Sequence, residues 1–193
     1  MTIERHPLTP FIHQSTKILF LGSFPPPKKR WCMDFFYPNF INDHWRIQGM
    51  VFYNDKDHFV DNKNKTFKIN EIIHHCKSHG IGFYDTATAV IRKAGNASDK
   101  FLEIVEPTDI KKLVGYAPIL QALVTTGTKA TETLCENLGI TTIPKVGEHI
   151  QTPLSNQQNQ PIFLYRLPSS SRAYPLSLEK KAEAYKTMFS LFI

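Results

Sequence analysis

The amino-acid sequence predicts an α/β protein with a three-layer α/β/α architecture around a central, mainly parallel sheet of about four strands. Four short apolar runs are typical of strands that are buried on both faces, and amphipathic helical patterns separate these runs. Strands that alternate with helices favour a parallel sheet covered by helices on both sides. A chain of 193 residues is long enough for one domain with a full core, so we expect a single domain over residues 1–193.

The apolar runs predict the order of the strands. Each run is nearly continuous in Val, Ile, Leu, Phe or Tyr. They are KILFLGS (17–23), GIGFYDTA (80–87), ILQALVTTG (119–127) and PIFLYRLPS (161–169). The polar segment 155–161 precedes the last run and is typical of a surface turn or the tip of a hairpin.

Helices are expected between the runs and after the last one, over 70–79, 109–115 and 128–138 and from about residue 177 onward. Asp109 can cap the second of these helices, and Gly139 is a good stop for the third. Apolar residues recur at helical spacing in the last helix, at Leu178, Ala182, Tyr185, Phe189 and Phe192.

The composition excludes several classes of protein. A hydrophobic fraction of 41% with a charged fraction of 21% is an ordinary globular balance and excludes a largely disordered chain. No apolar run approaches the roughly 18 residues of a membrane helix, and the N-terminal residues lack the apolar core of a signal peptide. We therefore expect a cytoplasmic protein that makes no contact with a membrane. A net charge of +6 allows a polyanionic partner without requiring one.

Neither a disulfide framework nor a metal site is expected. The three cysteines are widely spaced and form no CxxC pair: Cys32, Cys76 and Cys135. The cluster His74, His75, Cys76 and His79 lacks a fourth ligand at a useful spacing and the Glu of an HExxH motif. We predict reduced thiols, no metal and no cofactor.

Ligands of such sheets bind beyond the carboxyl ends of the strands, so the residues after each run are the candidates for a site. Small, polar and turn-forming residues gather at all four ends: Gly22-Ser23-Phe24-Pro25, Asp85-Thr86, Thr125-Thr126-Gly127 and Pro168-Ser169-Ser170-Ser171-Arg172.

The first and last of these ends carry basic and hydroxyl groups that suit phosphates. The segment LGSFPPPKKRW (21–31) has no P-loop pattern, and Ser23 is not in a GxSxG elbow. Its basic residues Lys28, Lys29 and Arg30 either contact phosphates or belong to a solvated loop. The segment PSSSRAYP (168–175) leads into a helix, so its hydroxyls and amides either bind phosphate or cap that helix.

The segment DFFYPNFINDHW (34–45) is dense in aromatic residues. Its aromatic side chains belong to the core or, where exposed, offer a platform on which a base can stack. Asn39 and Asn42 can hydrogen-bond a water or a base. Asp85, at the end of the second run, either binds backbone amides or reads the polar edge of a bound ring.

Taken together, these segments resemble the motifs of the uracil-DNA glycosylase superfamily, and most of all its branch of mismatch-specific uracil and hypoxanthine-DNA glycosylases. Four regions match in order and span residues 17–189. KILFLGSFPP is similar to the first motif and FFYPNFINDHW to the aromatic–Asn–Trp stretch. GIGFYDTATAVIRKAGNASD (80–99) is similar to the second strand with its Asp and following turn, and LPSSSRAYPLSLEKKAEAYKTMF (167–189) to the second motif.

The chain departs from other families of the superfamily at two positions. Phe24 stands where several of them place a polar catalytic residue, and Leu167 stands where others place His or Asn. The hypoxanthine branch has a similarly bare first motif, and its important Asn lies three residues before a Trp. That position is Asn42, before Trp45, and Asn39 is the alternative.

The resemblance implies a role for each candidate residue. Catalysis is expected from Asn42 or Asn39 and from Asp85. The residues expected to bind the base, with Tyr37 stacking on it, are Gly22, Ser23, Phe24, Phe36 and Tyr37. The residues expected to contact DNA are Lys28, Lys29, Arg30, Ser169, Ser170, Ser171 and Arg172.

The implied function is a monofunctional DNA glycosylase that hydrolyses the N-glycosidic bond of uracil or hypoxanthine in double-stranded DNA during base excision repair. Such a protein is expected to be a monomer that associates with the nucleoid. Two alternatives stay open. One is a non-catalytic DNA- or nucleotide-binding module with the same fold, and the other is an unrelated α/β enzyme that acts on a small molecule.

Overall fold

The computed structural model describes residues 2–93 and 101–193 of the chain. Ten strands and five α-helices lie within these ranges. The strands are β1 (Ile3–Arg5), β2 (Ile18–Gly22), β3 (Val60–Asp61), β4 (Thr66–Phe67), β5 (Ile81–Asp85), β6 (Ala87–Arg92), β7 (Leu102–Pro107), β8 (Ala122–Thr126), β9 (His149–Ser155) and β10 (Pro161–Leu167). The helices are α1 (His44–Tyr53), α2 (Ile69–His79), α3 (Ile110–Gly115), α4 (Thr128–Leu138) and α5 (Leu178–Phe192).

A mainly parallel sheet of five strands forms the centre of the protein, in the order β5-β2-β8-β10-β9. Strand β2 pairs in parallel with β5 and β8, and β10 pairs in parallel with β8. Only β9, at the edge, is antiparallel to its neighbour. The carboxyl ends of four strands therefore meet along one side of the sheet.

Helices cover both faces of this sheet. On one face, the ring of Phe20 in β2 lies within about 6 Å of His44 in α1 and of Phe189 in α5. On the other face, Oγ1 of Thr125 in β8 lies 2.8 Å from Oγ1 of Thr131 in α4. Because side chains alternate between the faces of a strand, these contacts place α1 and α5 opposite α4. The predicted three-layer arrangement is confirmed.

The helix ends follow the capping chemistry of the sequence. The side chain of Asp109 accepts a hydrogen bond from the backbone N–H of Lys112, and that of Ser177 accepts one from Lys180. Gly139 ends α4 with a φ of 67°, a conformation that costs glycine little. The predicted bounds 128–138 are confirmed, and the hairpin tip lies at 155–161 as predicted, between β9 and β10.

The central sheet has five strands where about four were expected, and β9 is the strand that no apolar run predicted. Every second residue of β9, from His149 to Ser155, is exposed, and Pro153 interrupts the apolar pattern. An edge strand of this kind resembles a loop in sequence. The run 80–87 also covers two strands, since β5 ends at Asp85 and β6 begins at Ala87.

Strands outside the central sheet form two smaller sheets. Strand β6 lies between β1 and β7 in an antiparallel sheet of three strands, and β3 pairs with β4. The pairing of β1 with β6 brings the first residues of the chain to the carboxyl end of β5. The turn expected after this region, over residues 95–99, lies outside the described residues.

Among the helices of the described ranges, none combines the length and the apolar character that a membrane crossing requires. The three cysteines are free thiols, of which Cys76 and Cys135 are buried and Cys32 is half-buried.

Candidate functional site

A cavity of about 660 Å³ opens at the carboxyl ends of the parallel strands. Three segments form its walls, residues 22–26 after β2, residues 36–42 before α1 and residues 169–173 after β10. Asp85 and Thr126 contribute from the ends of β5 and β8. This is the side of the sheet at which ligands of open α/β folds bind.

The cavity brings together most of the candidate residues from distant parts of the sequence. Its lining includes every residue expected to act in catalysis or base binding, which are Gly22, Ser23, Phe24, Phe36, Tyr37, Asn39, Asn42 and Asp85. It also includes five of the residues expected to contact DNA, which are Arg30, Ser169, Ser170, Ser171 and Arg172. The shared cavity shows that these residues are neighbours, while their roles stay predictions.

Lys28 and Lys29 do not line the cavity. They lie with Arg30 on an exposed 3₁₀ turn that follows three prolines. The ammonium group of Lys28 pairs with Asp34 and lies 4.0 Å from the centre of the Trp31 ring. The basic cluster therefore borders the cavity, and only Arg30 reaches its wall.

Asp85 is held at the cavity wall by a histidine that the sequence analysis missed. Nε2 of His6 lies 2.8 Å from Oδ2 of Asp85, and the side chains of the two residues are 2% and 10% exposed. On its other side the carboxylate lies against Gly22, where any Cβ would overlap Oδ1. His6 precedes the first apolar run by eleven residues, and no local pattern marks it as a partner of Asp85.

The ring of His6 is enclosed by aromatic side chains. Its centroid lies 4.6 Å from that of Tyr84, 5.4 Å from that of Phe24 and 6.4 Å from that of Phe36. Phe24 and Phe36 are themselves buried and present only part of their rings to the cavity. Phe24, which the resemblance noted above compares with a polar catalytic residue, therefore packs against His6.

Tyr37 forms part of the cavity wall in an unusual backbone conformation. Its φ of 51° is in the left-handed region, which non-glycine residues rarely adopt. Its ring stacks on His44 with 3.7 Å between centroids, and its hydroxyl is 3.0 Å from Oγ1 of Thr126. These two contacts fix the ring at the ends of β8 and α1.

His44, beneath Tyr37, is fully buried, and burial together with the nearby His75 lowers its pKa well below the usual value. The imidazole is therefore neutral at physiological pH. A chain of hydrogen-bonding groups continues from it through Gln48 and His75 to Tyr53. His75 is engaged in this chain, and within the described residues no group of three His, Cys, Asp or Glu side chains could hold a metal ion.

Asn39 and Asn42 close a tight turn in front of α1. The backbone N–H of Asn42 donates to the carbonyl of Asn39 at 2.8 Å, and Oδ1 of Asn39 accepts from the N–H of Ile41. Oδ1 of Asn42 accepts from the N–H of His44 at 2.9 Å. Because that bond fixes Oδ1, the orientation of the Asn42 amide is known: Nδ2 is its donor, and Oδ1 keeps a second lone pair.

The tip of this turn carries Ile41, which is 53% exposed at the rim of the cavity. Below it, the guanidinium of Arg46 donates to the carbonyl of Phe40 at 2.8 Å and lies over the Phe40 ring. The turn is therefore supported from inside the protein.

Asp43 joins the two walls of the cavity. Its Oδ1 accepts from Nε of Arg172 at 2.9 Å, and its Oδ2 is 3.3 Å from the ammonium of Lys181. Its N–H donates to the carbonyl of Ser170 at 3.0 Å. Lys181 is 1% exposed and was not among the candidates, although it falls on the apolar face of α5 beside Ala182. A lysine within the apolar face of a helix is unusual, and this feature of the sequence could have marked Lys181 as a buried partner of an acidic residue.

The remaining serines belong to the wall that Asp43 holds. Oγ of Ser169 accepts from the N–H of Ser171, and the carbonyl of Ser171 accepts from Lys181 at 2.8 Å. Arg172 is half exposed and carries its charge at the mouth of the cavity, where Arg30 also lies.

No protein-family model matches the chain, and no curated protein matches it. Its structure does match solved structures. One is the solution NMR structure of a protein from Methanosarcina acetivorans that is described as a "putative Uracil DNA glycosylase". The two share a TM-score of 0.61 and 23% sequence identity, over 98% of this chain and 99% of that chain.

This likeness defines the class of fold. The chain is an α/β protein whose mainly parallel central sheet and flanking helices match those of a uracil-DNA-glycosylase-like fold.

Proposed function

We propose that the protein is a monofunctional DNA glycosylase that removes a deaminated base, uracil or hypoxanthine, from double-stranded DNA in base excision repair. It would belong to the mismatch-specific uracil and hypoxanthine branch and act as a cytoplasmic, nucleoid-associated monomer. One observation carries the proposal: an amide, an aromatic ring and a carboxylate, from Asn42, Tyr37 and Asp85, line a single cavity beside arginine side chains.

The size and position of the cavity suit an extruded nucleotide. Its volume of about 660 Å³ lies within the roughly 300–1,000 Å³ of small-molecule pockets. A glycosidic bond inside the base stack is out of reach, so the nucleotide has to swing out of the duplex into the enzyme. Arg30 and Arg172 at the mouth then bind phosphates on either side of it.

The reaction is the hydrolysis of an N-glycosidic bond. The oxygen of a water molecule bonds to C1′ of the sugar, the bond from C1′ to the base nitrogen breaks, and its electron pair leaves with the base. The attacking water gives one proton to the solvent and the departing base takes one up from it, so that the products are a sugar hydroxyl and a neutral base. The sugar gains oxocarbenium character on the way, as in other glycoside hydrolyses. Asn42 orients the water through the open lone pair of Oδ1, Tyr37 stacks on the ring, and Asp85 hydrogen-bonds the ring edge.

Hydrolysis without a covalent intermediate fits the lining of the cavity. No lysine is among the described residues that line it, so none is in place to form a Schiff base with the sugar. Lys181, behind the wall, is occupied by Asp43 and the carbonyl of Ser171.

A second candidate is a module that binds DNA without cleaving it. Phe24 and Leu167, both buried, stand at the two positions where other families carry polar catalytic groups. This observation favours a protein that has kept the fold and lost the chemistry.

A substrate panel separates the two candidates. Duplexes that contain uracil, hypoxanthine or a T·G mismatch, and an undamaged duplex, are incubated with excess protein, and abasic sites are revealed by alkaline cleavage. The glycosylase releases at least one base and spares the undamaged duplex, and Asp85→Asn abolishes the release. Binding to damaged duplex without release from any substrate overturns catalysis and supports the module. An absence of DNA affinity at low salt overturns both and favours an enzyme of small-molecule substrates.

A further inference from the structure

We propose that His6 is a positioning residue that holds Asp85 as a fixed hydrogen-bond acceptor, and that the pair recognises the ring N–H that deamination creates on a base. This inference rests on the proposed function, because it names the feature of the base that the same cavity selects. The structural basis is the contact of 2.8 Å between Nε2 of His6 and Oδ2 of Asp85.

The surroundings of His6 keep its Nε2 in the donor state. Nδ1 lies 2.9 Å from the carbonyl oxygen of Leu8 and 3.1 Å from its N–H nitrogen. A neutral imidazole that donates from Nε2 can accept the Leu8 N–H at Nδ1, and a protonated imidazole can donate from Nδ1 to the Leu8 carbonyl. In both states Nε2–H donates to Asp85, so the peptide of Leu8 supports the same contact.

The packing around the pair fixes its orientation. The rings of Tyr84, Phe24 and Phe36 enclose the imidazole, and the side chain of His6 is only 2% exposed. A buried hydrogen bond that water does not reach is electrostatically stronger than an exposed one. The aromatic wall therefore prevents water from replacing His6 as the donor.

One carboxylate oxygen remains for a ligand. Oδ2 is occupied by His6, and Oδ1 lies against Gly22, which shares the wall of the cavity with Asp85. No described residue donates a hydrogen bond to Oδ1. Because the hydrogen bond to His6 holds Oδ2 and prevents the carboxylate from rotating, Oδ1 offers a single acceptor at a fixed position.

Deamination changes the base in the way that such an acceptor detects. Cytosine has a lone pair at N3, and uracil has an N–H there. Adenine has a lone pair at N1, and hypoxanthine has an N–H there. A base held with this ring nitrogen at Oδ1 gains a charge-assisted hydrogen bond if it is deaminated, and the parent base in the same pose sets a lone pair against a carboxylate. One acceptor thus serves both deaminated bases.

The test measures the binding of duplexes that carry one 2′-fluoro nucleotide with uracil, hypoxanthine, cytosine or adenine, because the fluorine slows cleavage and allows an equilibrium reading. Wild type should bind the uracil and hypoxanthine duplexes more tightly than those with the parent bases. His6→Phe keeps an aromatic ring and removes the donor, so it should reduce this preference about tenfold to hundredfold. His6→Gln keeps a donor and should retain most of the preference.

Two controls separate positioning from general stability. His13→Phe changes another histidine of the same segment, one whose Nδ1 lies against Ser15 and which makes no contact with Asp85, and should bind all four duplexes as wild type does. In an Asp85→Asn background, His6→Phe should change the preference by less than about twofold, because His6 acts only through Asp85. Circular dichroism checks that each variant is folded.

The outcomes distinguish this inference from the proposed function. One outcome is that wild type releases no base from natural duplexes and still prefers the deaminated bases in binding. If His6→Phe then loses this preference, the glycosylase proposal fails, and the recognition of the ring N–H by His6 and Asp85 is supported. If wild type releases uracil while folded His6→Phe binds and cleaves as wild type does, the inference about His6 is wrong. An effect of His6→Phe that persists in the Asp85→Asn background, or a His6→Gln variant as impaired as His6→Phe, also overturns it.

Discussion

The carboxylate of Asp85 lies so close to the Cα of Gly22 that a Cβ at residue 22 would overlap Oδ1. The two residues end neighbouring parallel strands and are directly paired across the sheet. The carbonyl of Gly22 also accepts a hydrogen bond from the N–H of Thr86 at 2.8 Å. The absence of a side chain at residue 22 therefore allows the carboxylate to lie at the cavity wall.

Gly22→Ala should displace the Asp85 carboxylate and reduce base release at least about tenfold, since misplacement of a reacting group by about 1 Å can cost a hundredfold. The measurement is the single-turnover rate on the best substrate of the panel. Gly115→Ala is the matched control, because a Cβ there meets nothing within 4 Å. A Gly22→Ala variant that cleaves as fast as wild type would show that the carboxylate has no part in the reaction.

Asn42→Ala should lower the rate of base release about a hundredfold and leave duplex binding nearly intact, because in the proposed mechanism the amide acts on the attacking water rather than on the backbone of DNA. The change also removes the hydrogen bond to the N–H of His44, which should cost about 1 kcal/mol of stability. Urea denaturation measures that cost separately from the rate. Asn64→Ala, an exposed asparagine far along the chain, serves as the control. Unchanged cleavage by Asn42→Ala would show that Asn42 does not orient the water.

Arg172→Ala should weaken binding to duplexes of every sequence and reduce the slope of log K against log salt concentration by about 1, as expected for the loss of one phosphate contact. Fluorescence anisotropy from low to moderate salt measures this slope. Lys186→Ala removes an exposed charge from α5 and should leave the slope as in wild type. If the salt dependence of binding is the same for Arg172→Ala and wild type, Arg172 does not contact a phosphate of the DNA.

Lys181→Met should destabilise the protein by about 1.5 to 3 kcal/mol, the cost of one lost hydrogen bond to a charged group. It leaves the buried carboxylate of Asp43 with Arg172 as its one remaining cation. The free energy of unfolding in urea measures the effect. Lys180→Met, on the exposed side of the same turn of α5, should change it by less than about 0.5 kcal/mol. Similar stabilities of the two variants would argue that Asp43 is satisfied by Arg172 alone.

Acid should destabilise the protein through its buried histidines. Burial lowers the pKa of His75 from 6.5 to about 3. Protonation therefore favours the unfolded state, and the contribution is absent above about pH 6.5 and grows as the pH falls towards 3. In this window, His75 costs up to about 1.4 kcal/mol of stability per pH unit.

Replacement of His75 by Gln should remove the contribution of His75 to the pH dependence of the free energy of unfolding. This holds whatever the replacement does to the stability at neutral pH. Urea denaturation at several pH values between 7.5 and 4.5 measures the slope for wild type and variant. His74→Gln changes the exposed neighbour and should keep the slope of wild type. If His75→Gln keeps it as well, His75 is not the group that resists protonation.

The parallel strands and most helices were predictable because their patterns are local. Residues 18–21 and 122–124 are apolar throughout, as strands buried on both faces require, and Asp109, Gly139 and Ser177 mark helix ends. Helix α1 was missed for the opposite reason. Residues 44–49 are all buried, although His44, Arg46 and Gln48 are polar, so no amphipathic pattern reveals the helix. Arg46 and Gln48 bind partners that the sequence pattern does not reveal, the carbonyl of Phe40 and the ring of His75.

The site was predictable only as far as the strand ends indicate it. Asp85, Gly22 and Ser169 follow apolar runs, and that placement alone predicted that they would meet. His6 and Asp43 come from segments without a clear pattern, and their partners lie 79 and 138 residues away in the chain. Contacts over such separations depend on the arrangement of β1 against β6 and of α1 against α5, which no local spacing encodes.

The attachment of Asp43 to both Ser170 and Lys181 limits how the cavity can change its shape. Moving either loop outward would separate a buried carboxylate from its cations, so widening by loop motion carries a large cost. A wider cavity therefore requires shorter side chains on its rim. Ile41 is the most exposed large hydrophobic residue of the rim, and a smaller residue could be introduced there. The same rigidity means that little of the binding energy would be spent on rearranging the protein when a ligand enters the cavity.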